Sequence, residues 1–287
     1  MKVLLTGAKG MLGMDLVKRM KIEGYEVVVT DIDELDITII DDVSKFIKRE
    51  KPDLVINCAA YTQVDKAETE KEKAYLINAE GVKNLAILCN ENKGLLCHIS
   101  TDYVFDGKKN TPYVPEDPPN PINTYGYTKY QGEKFLMDIC SKYYLIRTSW
   151  LYGLKGNNFV YTILKLAKRK DQLRIVNDQI GAPTWTVTLS EAIAYVIKKG
   201  ELGIYHITDD AGEGISWYDF ASEIIRLSNL KTKIIPIKTE DYQTAVKRPL
   251  YSLLDISKIK KLMEGRIPYW KDSLHFFLDN LREINLM

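Results

Sequence analysis

The chain has 287 residues, a length typical of one large domain or two closely joined ones. Lysine and arginine number 40 and aspartate and glutamate 39, and the resulting net charge of +1 argues against a protein that binds nucleic acid or an anionic membrane. The four cysteines form no C-x-x-C pair, which argues against a zinc or dithiol motif. No apolar run is long enough for a membrane span, and the N-terminus lacks the apolar region of a signal peptide, so we expect a cytoplasmic protein.

Short apolar and β-branched runs alternate with amphipathic segments along the first half of the chain. The predicted strands are Lys2–Thr6, Tyr25–Thr30, Asp53–Cys58, Leu95–Ser100 and Tyr143–Arg147. The predicted helices are Met11–Glu23, Val43–Lys48, Glu72–Asn92 and Tyr125–Ser141. This alternation is typical of an α/β fold, in which a doubly wound parallel sheet of the Rossmann type carries helices on both faces.

The pattern is less regular after Trp150. Predicted helices there are Asn158–Arg169, Val187–Lys199, Trp217–Ser228 and Trp270–Arg282, and predicted strands are Leu173–Val176, Gly203–Ile207 and Lys233–Pro236. The chain shows no clear linker, so we expect a second unit that is interleaved with the last strands of the sheet. We predict a Rossmann domain over residues 1–150 plus about 186–208, and a smaller C-terminal lobe over 151–185 and 209–287.

A glycine-rich turn joins the first predicted strand to the first predicted helix. Its sequence, GAKGMLG, has the spacing G-x-x-G-x-x-G, and glycines let backbone N–H groups approach a pyrophosphate at the positive end of a helix dipole. A turn that binds nothing is the alternative, but the strand before it and the helix after it favour a dinucleotide. The turn residues predicted to contact this cofactor are Gly7, Lys9, Gly10, Met11, Leu12 and Gly13.

Residues at the ends of the next two strands extend the predicted cofactor site. Asp31 ends the second strand, where an acidic side chain commonly binds the ribose 2′-hydroxyl of NAD. Lys9 could instead neutralise a 2′-phosphate, so NADPH and NADH both remain candidates. Asp36 is a weaker candidate for a contact with adenine. Ala59 and Ala60, after the third strand, are small enough to let a cofactor approach the backbone, although helix packing explains them almost as well.

A hydroxyl residue and a Y-x-x-x-K pair are the candidates for catalysis. Thr101 follows the fourth strand, and Tyr125 and Lys129 share one face if their segment is helical. A lysine ammonium beside a phenol favours the phenolate, so we expect Lys129 to lower the pKa of Tyr125 and make it a usable proton donor. Y-x-x-x-K alone usually marks a solvated helix face, but here it accompanies the glycine turn and Thr101.

The chain resembles the extended short-chain dehydrogenase/reductase superfamily and, within it, the family of dTDP-4-dehydrorhamnose reductases. Seven sequence blocks carry the narrower resemblance, and they are NCAAYTQVDKAE (57–68), STDYVF (100–105), YGYTKYQGE (125–133), RTSWLY (147–152), NNF (157–159), DQIGAPT (178–184) and RPLYSL (248–253). The resemblance implies a reductase that converts the 4-keto group of a dTDP-sugar to an alcohol, with hydride from NADPH or NADH and a proton from Tyr125. It implies a role in dTDP-L-rhamnose synthesis for cell-surface polysaccharide.

The same resemblance assigns further contacts. It implies that Tyr125 and Lys129 contact the cofactor, with Lys129 at the nicotinamide ribose, and that Thr101 positions the 4-oxygen of the substrate. It places Thr62 and Val64 near the nicotinamide or the sugar, and Asp102 near the substrate. Trp150 is expected to face the hexose, although a core tryptophan between the two lobes is the alternative. Gln179 and Arg248 are expected at the nucleotide end, where an arginine fork suits a diphosphate and a surface salt bridge is the alternative.

Other functions stay open at this stage. A nucleotide-sugar epimerase or dehydratase of the same superfamily would share the glycine turn and Y-x-x-x-K, and a non-catalytic regulatory subunit, similar to that of methionine adenosyltransferase, would bind a partner enzyme instead. We predict no metal, because we could not match the glutamates that hold one in some members of the family. We assign no role to His98, His206 or His275. A homodimer is a candidate assembly.

Overall fold

The computed structural model describes residues 1–242, 244 and 246–284. The strands are β1 Lys2–Thr6, β2 Glu26–Val29, β3 Leu54–Asn57, β4 Leu95–Thr101, β5 Tyr143–Thr148, β6 Leu151–Tyr152, β7 Gln172–Val176, β8 Ile180–Gly181, β9 Thr184–Trp185, β10 Gly203–His206, β11 Ile215–Ser216 and β12 Lys233–Ile237. The helices are α1 Met11–Ile22, α2 Ile40–Glu50, α3 Val64–Ala67, α4 Lys71–Tyr75, α5 Gly81–Glu91, α6 Thr124–Ile139, α7 Phe159–Ala167, α8 Thr186–Lys199, α9 Trp217–Leu227, α10 Ser257–Leu262 and α11 Trp270–Glu283.

The central sheet has six parallel strands in the order β10-β5-β4-β3-β1-β2. Every residue of β3 is buried, and β1 is buried apart from Lys2, as expected for strands covered on both faces. The predicted α/β fold is confirmed. The chain runs from β1 outward to β2 and then returns to β3 on the other side of β1, so the order of the strands reverses there. Doubly wound sheets bind ligands at the carboxyl ends of the strands that flank such a reversal.

The predicted helix Glu72–Asn92 differs in one respect from the structure. A π-helical turn, Leu76–Glu80, separates α4 from α5, and its Asn78 is fully buried. Asn78 binds the backbone of Tyr61, accepting from its N–H at 2.8 Å and donating to its carbonyl at 3.0 Å. Helix α6 packs directly on this turn, because a Cβ on Gly132 would lie 2.1 Å from the Asn78 carbonyl oxygen.

The close approach of α6 to the end of β4 also depends on a glycine. A Cβ on Gly126 would lie 2.0 Å from the carbonyl oxygen of Tyr103. The side chain of Asn123 caps the helix and accepts a hydrogen bond from the Gly126 N–H at 2.8 Å. These contacts place the first two turns of α6 beside the carboxyl end of β4.

A second hydrophobic cluster lies outside the sheet, in the later part of the chain. Its large buried members include Tyr152, Phe220, Trp270, Leu274 and Phe277. The segment 256–267, which contains α10, packs instead into the core formed by the sheet, through Ile256, Ile259, Met263 and Ile267. The division into two domains stays a prediction. Helix α10 falls within the predicted C-terminal lobe, but it packs against the core of the sheet.

Within the described residues, no helix combines the length and the apolar character needed to cross a membrane.

Candidate active site

A cleft with a volume of about 730 Å³ opens at the carboxyl ends of the central strands. It brings together most of the residues predicted from the sequence, namely Gly7, Lys9, Gly10, Met11, Leu12, Gly13, Asp31, Asp36, Ala59, Ala60, Thr62, Thr101, Asp102, Tyr125, Lys129 and Trp150. Three predicted substrate residues, Val64, Gln179 and Arg248, do not line it. The glycine turn and the Y-x-x-x-K pair therefore share one cavity.

The glycine turn packs against the end of β3 with no room for side chains. Gly7 has φ +65°, and a Cβ there would lie 2.5 Å from the Ala59 backbone nitrogen. A Cβ on Gly13 would lie 2.3 Å from the Gly7 carbonyl oxygen. Helix α1 begins after Gly10 and has no side-chain cap, so its first N–H groups face the cleft without a protein partner at that end. A bare turn at a helix N-terminus fits the pyrophosphate of a dinucleotide.

The end of β2 carries a group of acidic side chains around one lysine. Asp31 accepts hydrogen bonds from the Lys9 N–H at 2.8 Å and the Ile32 N–H at 2.9 Å. The Lys9 ammonium donates to Asp33 at 2.9 Å and to Glu34 at 3.0 Å, and these bonds raise the pKa of Lys9. Asp31 and Lys9 both line the cleft, so neither of the two cofactors considered from the sequence is excluded.

Asp36 lies farther along the same wall of the cleft. Its carboxylate accepts hydrogen bonds from the Thr38 N–H at 2.9 Å and the Thr38 hydroxyl at 2.7 Å. These bonds close a short turn before α2. Asp36 therefore shapes the wall, and a contact with adenine stays a prediction.

The three candidate catalytic residues meet where β4 ends and α6 begins. The Thr101 hydroxyl donates to Asp102 Oδ1 at 3.0 Å, and it is close enough to the Tyr125 phenol to affect its pKa. Lys129 lies one turn after Tyr125 on α6, is 2% exposed, and donates to the Ile99 carbonyl at 2.6 Å. All three line the cleft.

The electrostatics of this group differ from the expectation. Burial raises the pKa of Tyr125 to about 12, although the neighbouring Thr101 hydroxyl opposes the shift. Burial lowers the pKa of Lys129 to about 8, opposed by the nearby Glu133 carboxylate. The predicted lowering of the Tyr125 pKa by Lys129 is therefore not observed, because burial dominates and the lysine amine is directed at a backbone carbonyl. Tyr125 is protonated at neutral pH and holds a proton that it can donate.

Asp102 and Trp150 form the wall of the cleft nearest the later part of the chain. Burial raises the pKa of Asp102 to about 6. Trp150 has φ +45° and stacks on Trp217, with ring centroids 3.6 Å apart. Trp217 thus covers one face of the Trp150 indole, while Trp150 also lines the cleft, and its contact with the hexose stays a prediction.

The remaining substrate residues lie away from the cleft lining. Gln179 is 4% exposed and donates to the Thr239 hydroxyl at 3.2 Å. Arg248 donates to both carboxylate oxygens of Asp65, at 2.8 and 2.9 Å. Val64 begins α3 and immediately precedes Asp65. Arg248 therefore forms the salt bridge that was the alternative to a diphosphate contact. Its partner, Asp65, directly follows Val64, which is itself a predicted substrate residue.

Sequence reasoning missed a pair of polar residues beneath the cleft. Asn57 and His98 are both fully buried, and the His98 ring approaches the Lys129 amine. Asn57 ends the apolar strand β3 and His98 interrupts the apolar first half of β4, and these polar residues beside apolar runs are the sequence signal that could have found them. Within the parts of the chain that the structure describes, no three His, Cys, Asp or Glu side chains form a group that could hold a metal ion. The absence of a metal stays a prediction.

Comparisons with known proteins place this architecture in a family. The family model for the RmlD substrate binding domain matches residues 1–283. The dTDP-4-dehydrorhamnose reductase of Aggregatibacter actinomycetemcomitans is 41% identical, over 95% of this chain and 97% of its own length.

Two solved structures are also similar. A dTDP-4-dehydrorhamnose reductase from Clostridium acetobutylicum has a TM-score of 0.94 and 44% identity, covering 98% of this chain and 100% of that one. The enzyme of the same name from Bacillus anthracis, solved in complex with NADP, has a TM-score of 0.92 and 38% identity, covering 97% and 99%. The chain therefore belongs to the RmlD substrate binding domain family, which confirms its predicted resemblance to the dTDP-4-dehydrorhamnose reductases.

Proposed function

We propose that this protein is an NAD(P)H-dependent oxidoreductase that reduces the 4-keto group of dTDP-4-dehydro-L-rhamnose to give dTDP-L-rhamnose. One observation carries the proposal: Thr101, Tyr125 and Lys129 line the same cleft as the glycine turn. The names of the similar reductases support the choice of sugar, and the NADP complex of the Bacillus anthracis protein supports the cofactor.

The protein's own residues would position the ketone and deliver a proton. Reduced nicotinamide, when bound, supplies the hydride that adds to C4 of the sugar. Tyr125 donates its phenolic proton to the C4 oxygen, and its raised pKa ensures that this proton is present at neutral pH. Thr101 orients the same oxygen, and Lys129 completes the polar wall beneath it. The ketone gains one hydride and one proton and becomes a secondary alcohol.

The direct test follows the loss of reduced-nicotinamide absorbance when the purified protein receives dTDP-4-dehydro-L-rhamnose. NADPH and NADH are supplied in parallel, and the product is compared with authentic dTDP-L-rhamnose. Turnover with either cofactor supports the proposal. A protein that binds the cofactor but turns over no 4-keto sugar would count against it.

The cofactor preference can be tested at Lys9. We expect Lys9→Ala to raise the KM for NADPH by about tenfold, because a charged contact with the 2′-phosphate is lost, and to leave the KM for NADH nearly unchanged. Lys45→Ala is a matched control, since that side chain is 79% exposed on α2, outside the cleft lining. Equal effects of Lys9→Ala on both cofactors would contradict a role at the 2′-phosphate.

Arg248 offers a test of the predicted nucleotide end of the substrate. We expect Arg248→Ala to raise the KM for the dTDP-sugar by about tenfold or more and to lower kcat less, because a bidentate partner for a diphosphate is lost. Asp65→Asn is the comparison, since it removes the carboxylate that now binds Arg248 and leaves the guanidinium in place. If both variants raise the KM equally, Arg248 acts through its salt bridge and not on the diphosphate.

The other functions considered from the sequence have less support. Several bacterial dTDP-4-dehydrorhamnose reductases are 35–41% identical to this chain over nearly its full length. Because these relatives are named as enzymes, they do not favour a regulatory subunit. Solved structures of NAD-bound nucleotide-sugar enzymes, among them a UDP-glucose 4-epimerase, share only 16–19% identity and support the fold alone.

We also propose a homodimer and a reducing compartment, the cytoplasm. Leu76 and Tyr127, 46% and 50% exposed, line one groove beside α4 and α6, and exposed apolar surface of this kind commonly marks an interface. All four cysteines are free thiols, which is typical of proteins in a reducing compartment. Light scattering on the purified protein measures the mass, and a monomer would contradict the dimer.

A further inference from the structure

Trp150 stands in the wall of the cleft with a strained backbone. Its φ of +45° lies in the left-handed region, which residues with side chains rarely adopt. Two hydrogen bonds hold the segment: the Ser149 hydroxyl donates to the Ala182 carbonyl at 2.6 Å, and the Thr184 N–H donates to the Trp150 carbonyl at 3.3 Å. Strain of this kind persists only where surrounding contacts determine the conformation, so the neighbours of the indole identify what holds it there.

The first of these neighbours is Trp217, at the start of α9. The two indole rings are stacked, with centroids 3.6 Å apart and planes 12° apart. Trp217 does not line the cleft, and it packs on its other contacts, such as Phe159 at a centroid distance of 4.6 Å, within the second hydrophobic cluster. Trp217 is therefore placed to affect a molecule in the cleft through Trp150.

The second neighbour is Gly181, in β8. A Cβ on this glycine would lie 2.9 Å from Cε2 and from Cζ2 of the Trp150 indole, so the ring occupies the space that a side chain would need. Strand β8 pairs with β11, and the register sets Gly181 opposite Ile215, two residues before Trp217. One small pair of strands thus carries both contacts of the indole.

The orientation of Trp217 is itself determined locally. Ser216 caps α9 directly before Trp217: its hydroxyl accepts from the Asp219 N–H at 3.1 Å, and its N–H donates to the Asp219 carboxylate at 2.9 Å. This capping box fixes where the helix begins. The Trp217 indole therefore leaves the first turn of α9 in a direction set by backbone contacts.

We propose that Trp217, together with Gly181, is a positioning residue that holds the Trp150 indole in the wall of the cleft and thereby increases the affinity for the sugar of the substrate. The second half of this statement rests on the proposed reductase function. An indole offers a flat apolar surface to the C–H groups of a deoxyhexose. A ring that is already held in place loses less conformational entropy when the sugar binds.

The first test measures the stack by NMR of protein labelled with carbon-13 in its tryptophan rings, and it needs no substrate. The chain has four tryptophans, and the Trp150 signals are the ones that disappear in Trp150→Ala. Because Trp217 lies over the ring, its ring current should shift the Trp150 ring protons upfield, and Trp217→Leu should remove that shift. Trp150 signals that are the same in Trp217→Leu and in the unaltered protein would overturn the proposal.

A second variant disturbs the indole without removing any packing. Gly181→Ala adds one methyl group against the Trp150 ring, so we expect the Trp150 signals to move and the KM for the keto sugar to rise. Gly94→Ala is the matched control, since a Cβ there meets no atom closer than 3.6 Å. If Gly181→Ala and Gly94→Ala gave the same Trp150 signals and the same KM, Gly181 would have no part in holding the indole.

The kinetic test asks whether Trp217 acts through Trp150. We expect Trp217→Leu to raise the KM for the keto sugar about three- to tenfold with little change in kcat, the effect of freeing one side chain. In protein that already carries Trp150→Ala, the same substitution should change the KM no further, because the ring that it positions is gone. A rise of equal size in both backgrounds would overturn the proposal.

A stability control separates positioning from a general weakening of the hydrophobic cluster. Leu274 is fully buried in that cluster and does not line the cleft, so Leu274→Ala should lower the melting temperature while the Trp150 signals and the KM stay near their original values. If Leu274→Ala raised the KM as much as Trp217→Leu, loss of packing would explain both. Failure of the unaltered protein to reduce any keto sugar would reject the proposed function, whereas the NMR comparison would still decide whether Trp217 holds Trp150.

Discussion

Replacing Tyr125 by phenylalanine lowers kcat for the keto sugar by about 10²- to 10⁴-fold, the range that loss of a positioned general acid causes. The variant loses the phenolic oxygen, and with it the proton that would reach the C4 oxygen. The ring keeps its packing, including the edge contact with Tyr103 at a centroid distance of 5.8 Å. Binding of the reduced dinucleotide, measured by its fluorescence, is expected to change little.

The same helix offers a matched control for this substitution. Tyr127 lies two residues farther along α6 and is 50% exposed, so Tyr127→Phe removes the same atom outside the cleft lining. We expect this variant to keep nearly full turnover. If Tyr125→Phe were as active as Tyr127→Phe, Tyr125 could not be the proton donor.

The sheet and the glycine turn were predictable because both depend on local sequence. An apolar run with a β-branched residue predicted β1 with its observed bounds, Lys2–Thr6. The turn that follows needs glycine at Gly7, because a Cβ there would collide with the backbone after β3. The pair Tyr125 and Lys129 was equally accessible, since residues four apart on a helix share a face. These features need no knowledge of which distant segments come together.

The features that were missed depend on distant contacts. The bond between Arg248 and Asp65 joins segments 183 residues apart, and no local pattern predicts it. The effect of Lys129 on Tyr125 was predicted from spacing alone, but the burial of both groups and the carbonyl of Ile99 determine their pKa values. The contact between His98 and Asn57 could be recognised only when β3 and β4 were placed side by side. The sequence located the candidate catalytic face of α6, whereas the pKa shifts on that face required the packed structure.

Replacing Arg147 by methionine is expected to cause the largest loss of stability. Arg147 of β5 is 1% exposed, and its guanidinium donates to both oxygens of the fully buried Glu133, at 3.0 and 2.7 Å. It also donates to the Pro115 carbonyl at 3.2 Å. Methionine leaves the Glu133 carboxylate without its cation, and removing one partner of a buried pair costs about 3–5 kcal/mol. We expect the melting temperature to fall by roughly 10 °C.

A surface pair provides the comparison for Arg147→Met. Arg282 donates to Asp279 at 2.7 Å on α11 with the two side chains 41% and 44% exposed, and water replaces that contact when it is removed. Arg282→Met should therefore melt close to the unaltered protein. Replacing both members of the buried pair, in Glu133→Leu with Arg147→Met, should recover part of the loss because no unpaired charge remains. If Arg147→Met and Arg282→Met melted at the same temperature, the buried pair between α6 and β5 would contribute little to stability, and other contacts of α6, such as those of Gly126 and Gly132, would have to hold Tyr125 and Lys129 in place.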